Sequence, residues 1–114
     1  MNDSTLHMSF KSIIHEPVEG NKHVPFIKVE GNKICVRCGK DELHPMTATH
    51  YIGWIKLYGM KKNILTEIGT TQFWPEMSQP VTMFEVPDIT AFTKLVATSY
   101  CNMHGIYENS VDLQ

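Results

Sequence analysis

Short runs rich in Val, Ile, Thr and aromatic residues recur along the chain: PFIKV, KICVRC, THYIGWIKLY, NILTEI, VTMFEV and KLVATSY, separated by Gly, Pro, Asn and Asp. β-Branched and aromatic side chains suit a pleated, half-buried surface and the separators are turn formers, so each run reads as a strand. In YIGWIKLY, alternation places Ile52, Trp54 and Lys56 on one face and Tyr51, Gly53, Ile55 and Leu57 on the other. No window of a dozen residues carries a helical stripe. Six or seven strands at roughly ten-residue spacing predict an all-β, antiparallel fold, a sandwich or small barrel. Of the two we take the β-sandwich, with about seven strands. Residues 1–20 lack periodicity and are expected to form an arm or loop, leaving residues 21–114 as the domain. On such a scaffold the chemistry belongs to loops.

Composition narrows the partners. A chain of 114 residues can bury a core without disulfides, and its 42% apolar and 19% charged residues are those of a soluble globule. No run approaches a membrane span, and the opening MNDSTLHMSFKSIIHEPVEG lacks the basic start and apolar stretch of a secretory peptide, so a cytoplasmic protein is expected. Three cysteines, an odd number, suit reduced thiols or metal ligands better than a disulfide framework. A net charge of -2, with no basic cluster beyond Lys61-Lys62, argues against nucleic acid.

The histidines change the picture most. Six lie at positions 7, 15, 23, 44, 50 and 104, and four of them fall in the loop-like segments NKHVP, ELHPMTATH and CNMHG. Pro45 interrupts any helix within HPMTATH, so a turn has to bring His44 and His50 together. Cys101 and His104 form a C-x-x-H pair able to present a thiolate and an imidazole to one ion; alone, Cys101 reads equally well as a small buried hydrophobe ending a strand. Four imidazoles and one thiolate suit a redox-active iron better than zinc, closed at four ligands, or calcium, which takes oxygen. Five donors leave one octahedral position open.

KHVP at 22–25, HPMTATHYIGWIKLY at 44–58 and CNMHG at 101–105 resemble, in order and spacing, the three iron-binding motifs of superoxide reductases. The resemblance runs from about Asn21 to the C-terminus. It implies an immunoglobulin-like sandwich and the single-iron, neelaredoxin-like form, without the N-terminal rubredoxin-type domain of desulfoferrodoxins. Carried over by position, it makes His23, His44, His50 and His104 equatorial ligands, His104 through Nδ1 and the others through Nε2, with Cys101 axial. The implied reaction is one-electron reduction of superoxide to hydrogen peroxide, with iron re-reduced by a rubredoxin or similar donor. Lys22 matches the lysine near the open site, which attracts the anion and orders proton-donating water. The resemblance also favours a homo-oligomer, a tetramer or dimer. One departure stands out: the family's EKHVP is NKHVP here, so Asn21 replaces a glutamate that often ligates oxidised iron. Water or hydroxide is then expected at the ferric sixth position, with Glu19 or Glu16 as remote substitutes.

Other readings compete. Cys35 and Cys38 of CVRCGK could join Cys101 and His104 in a structural zinc site, but residues three apart on a strand face opposite sides, so a sharp turn at Gly39 would be required. A cupredoxin-like electron carrier would use a late Cys and His, yet it wants a methionine soon after the second histidine and GIYENSVDLQ has none. His7 and His15 fall outside the motifs and read as surface residues of the arm.

Overall fold

A computed structural model describes residues 13–113. Seven strands form in chain order: β1 (Pro25–Glu30), β2 (Lys33–Cys38), β3 (Ile52–Lys61), β4 (Ile64–Gln72), β5 (Val81–Glu85), β6 (Lys94–Cys101) and β7 (Gly105–Asp112). All pairings are antiparallel. They build a three-stranded sheet of order β1-β2-β5 and a four-stranded sheet of order β4-β3-β6-β7. The only helical segment among the described residues is one 3-10 turn, Ile89–Ala91. The expected β-sandwich of about seven strands is therefore present. β7 is the strand the hydrophobic pattern did not single out: GIYENSVD is polar, and it forms because every residue from Gly105 to Asp112 pairs with β6.

Alternation drives the two sheets together. β2 turns Ile34, Val36 and Cys38 inward, while β6 turns in Leu95, Ala97, Ser99 and Cys101. With Ile27, Ile52, Ile55, Leu57, Phe73 and Val86 they form one core. Each large aliphatic side chain there stabilises the fold by roughly 1.5–3 kcal/mol.

β3 departs from the simple alternation. Ile52 is buried with Ile55 and Leu57, not grouped with Trp54 and Lys56, because the register against β6 shifts between Ile52 and Trp54. Such a bulge inserts one residue and moves everything before it to the other face. Gly53 permits it, since a Cβ there would lie 2.9 Å from the Tyr100 ring. The bulge turns the start of β3 inward just where the preceding loop must reach the sheet end.

Pairing then sets up the site. Pro25 is opposite Cys38, and Cys101 is opposite both Ile52 and Gly105. The start of β1, the end of β2, the start of β3 and the β6–β7 turn thus meet at one end of the sandwich.

Candidate metal centre

Three loops deliver five donor side chains to that end. His23 precedes β1, His44 and His50 lie between β2 and β3, Cys101 ends β6, and His104 sits in the turn before β7. The Nε2 or Nδ1 atoms of His23, His50 and His104 and the Sγ of Cys101 all lie within 4.8 Å of one another. His44 stands just outside that set, its Nε2 3.8 Å from Cys101 Sγ, with its ring centroid 4.5 Å from those of both His23 and His50.

Local hydrogen bonds decide which nitrogen His23 and His44 turn inward. Asn21 Oδ1 accepts from the His23 main-chain N–H at 2.9 Å and lies 2.7 Å from His23 Nδ1. An amide oxygen carries no proton and only accepts, so the ring proton sits on Nδ1 and Nε2 carries a lone pair. The carbonyl of Pro45 does the same for His44, at 2.7 Å from Nδ1. His23 Nε2 lies 3.0 Å from His104 Nδ1, which is itself 3.6 Å from Cys101 Sγ. The His50 Nε2 is buried with no hydrogen-bond partner. An orphaned buried ring nitrogen is costly unless something else binds it.

Burial explains the electrostatics. It pushes the His23 imidazole down to about 4, helped by the charges of His44, His104, His50 and His15. His44 is likewise lowered, mainly by burial, against the stabilising Pro45 carbonyl. The rings are thereby held neutral, as metal ligands must be. Inward lone pairs, an orphaned nitrogen and a buried thiol suit a soft or borderline cation.

The loops are braced by partners that carry no ligand signature. Ser99 Oγ donates to the His23 carbonyl at 2.7 Å, and the His44 N–H donates to the Cys38 carbonyl at 2.9 Å across the turn at Gly39, whose φ is +105°. Thr47 Oγ1 accepts from the His50 N–H at 3.1 Å. Asn102 ties the β6–β7 turn to the β2–β3 loop, donating to the Thr49 carbonyl and accepting from the Tyr51 N–H. Sequence reasoning passed over Asn102 and Ser99, which resemble any polar turn or strand residue.

Lys22 forms an ion pair with Glu42, and its charge is near enough to His44 to contribute to that ring's lowered pKa. The same pair holds the Glu42 carboxyl below its ordinary value. A cleft of about 510 Å³ beside them is lined by Glu19, Asn21, Lys22, Val24 and Glu42. Neither Glu16 nor Glu19 belongs to the cluster of donor atoms. The zinc-knuckle reading does not hold: Cys38 is buried in the core, Cys35 is half-buried three residues earlier on the same strand, and neither joins the cluster. Burial raises the Cys38 thiol to about 12, so it stays protonated beside Ser99 and Cys101. His15, expected to be an ordinary surface residue, is exposed and also bonds the His104 carbonyl at 2.9 Å. His7 lies outside the described residues.

Residues 15–110 match the family model described as Desulfoferrodoxin. A superoxide reductase of Pyrococcus horikoshii is 35% identical over 105 residues, covering 84% of this chain and 90% of that one. A neelaredoxin of Megalodesulfovibrio gigas is 30% identical over 109 residues, covering 78% of this chain and 84% of that one. Among solved structures, a superoxide reductase (1Fe-SOR) from Giardia intestinalis superposes with a TM-score of 0.78 at 44% identity, covering 82% of this chain and 99% of that one.

Proposed function

The chain belongs to the desulfoferrodoxin family, and from that membership we propose how its own residues carry superoxide reductase chemistry. The protein is an oxidoreductase of the single-iron, neelaredoxin-like kind. Superoxide takes up one electron and two protons to leave as hydrogen peroxide, and no oxygen is produced. The cofactor is a mononuclear iron, which when bound supplies that electron by passing from the ferrous to the ferric state.

We assign His23, His44 and His50 through Nε2, His104 through Nδ1 and Cys101 through Sγ as the residues that hold the iron. The observation that carries this assignment is the buried His50 Nε2, left without a protein partner among nitrogen and sulfur atoms that converge within 4.8 Å. A cupredoxin-like carrier would leave two of these imidazoles unused. Asn21 is engaged with His23 through both of its short contacts, which supports its acting as a partner of that ring and not as a donor that would hold the iron.

Lys22 attracts the anionic substrate, and its ammonium N–H groups order the water that donates protons. Glu42 offsets part of that attraction by pairing with it. The exposed His104 offers a small reduced carrier, a rubredoxin or its like, a short approach to the centre. Exposed apolar side chains on the edge strands, Ile64 and Leu65 on β4 and Val81 and Met83 on β5, support assembly as a dimer or tetramer. No helix among the described residues is long and apolar enough to cross a membrane, and three free thiols suit the reducing cytoplasm.

Metal content with the optical spectrum of purified protein tests the reading. Iron near one per chain is expected, with a visible thiolate-to-ferric band on oxidation that Cys101→Ser removes. Zinc or copper in its place would overturn it.

A further inference from the structure

Upstream of the loop that carries His23, the chain meets the metal centre at His15. His15 forms a parallel bridge to Tyr107 on β7: its N–H donates to the Ile106 carbonyl at 2.9 Å, and its carbonyl accepts from the Glu108 N–H at 3.0 Å. That anchorage aims the side chain at the β6–β7 turn, where His15 Nε2 lies 2.9 Å from the His104 carbonyl. A carbonyl only accepts, so Nε2 donates. The carbonyl belongs to the peptide joining His104 to Gly105, whose φ of +87° turns that peptide outward toward the arm.

The ring of His15 makes a second connection. It stacks on Tyr107 with centroids 4.4 Å apart and planes at 27°, and Tyr107 stacks on His23 at 4.8 Å and 17°. Tyr107, itself buried, thus stacks on both His15 and His23. Offset stacking of this kind holds ring planes in addition to excluding water.

We propose that His15 is a positioning residue of the iron centre. It fixes the His104 peptide through its hydrogen bond, and the His23 ring plane through Tyr107. A single exposed imidazole outside the donor set thereby braces two of the five proposed ligands, one on each of two loops. The arm is part of the site, and the orientation of His104 and His23 toward the iron depends on it.

This inference rests on the iron reading above, and the experiment separates the two. The full-length iron-loaded protein is compared with His15→Ala, His15→Phe and His15→Gln for the rate of iron release to a chelator, the energy of the thiolate-to-ferric band and the midpoint potential. Loss of an outer partner weakens metal retention by about tenfold or more. His15→Ala is expected to release iron about tenfold faster and to shift both band and potential. His15→Phe keeps the stack and His15→Gln keeps an N–H donor, so each recovers part of the change. A His15→Ala protein matching the parent in all three readouts overturns the proposal while leaving the iron assignment intact. A parent protein that takes up no iron overturns both.

Discussion

Replacing Asn21 with alanine removes one oxygen that performs two functions at His23. It accepts from the main-chain N–H at 2.9 Å, which shapes the turn into β1, and from Nδ1 at 2.7 Å, which sets the ring tautomer. The two losses can be sized separately. One hydrogen bond between neutral partners contributes about 1 kcal/mol net. Freeing the tautomer, so that half of the rings present a protonated Nε2, costs a further factor of two, about 0.4 kcal/mol. Together, roughly 1.4 kcal/mol corresponds to about tenfold weaker iron binding, at the lower edge of what loss of an outer-shell partner usually brings. Asn21→Asp keeps an acceptor oxygen in the same place and is expected to bind iron at least as tightly as the parent. Anaerobic competition for ferrous iron against a chelator of known affinity measures both. Parent affinity in Asn21→Ala would refute the reasoning, as would an Asn21→Asp protein as weak as the alanine variant, because the oxygen would then not be the atom that matters.

The ion pair between Lys22 and Glu42 predicts opposite effects on the second-order rate with superoxide: Lys22→Ala slows it about tenfold and Glu42→Gln speeds it, both measured by pulse radiolysis across a salt series. Equal slowing by both variants would mean that the pair acts as one structural unit. Gly39→Ala would place a Cβ 2.0 Å from the Glu42 carbonyl oxygen at a φ of +105°. Strain and overpacking together should lower stability by roughly 2–4 kcal/mol in urea unfolding and loosen the turn that carries His44; an unchanged midpoint would refute this. For the metal-free protein, His23 titrates near 4 when folded against 6.5 when unfolded. Below pH 6.5 the unfolded chain gains a proton that the folded chain refuses, so the urea midpoint should fall from pH 6.5 to about 4. The lowered His44 adds in the same direction, and Glu42 contributes only below its ordinary 4.5, which isolates the histidines above it. A midpoint that rises across this interval would contradict the buried, neutral ring. Asn21→Glu should change the ferric spectrum by offering a carboxylate, whereas Glu19→Ala should leave it unchanged.

Much of this was legible along the chain. Alternating β-branched residues between turn formers announced the strands, because side-chain periodicity is a local property of two successive residues. The side chains that converge at the end of the sandwich were legible too: KHVP, HPMTATH and CNMHG name four imidazoles and a thiol, and their chemistry follows from residue type. One local expectation failed for a tertiary reason: Ile52 turned inward because Gly53 lets β3 bulge against Tyr100. His15 is on the surface as expected, but its bonds to the Ile106 and His104 carbonyls were not legible, because main-chain atoms are marked by no side-chain pattern.

The sequence by itself determined which atoms are available to a metal and that they ride on loops between strands. The tertiary structure alone decided that they meet, through pairing of Cys101 with both Ile52 and Gly105, and which nitrogen of His23 and of His44 faces inward, through Asn21 Oδ1 and the Pro45 carbonyl. Residue type fixes a donor's chemistry, but its direction and tautomer depend on acceptors that only the folded chain brings within hydrogen-bonding distance.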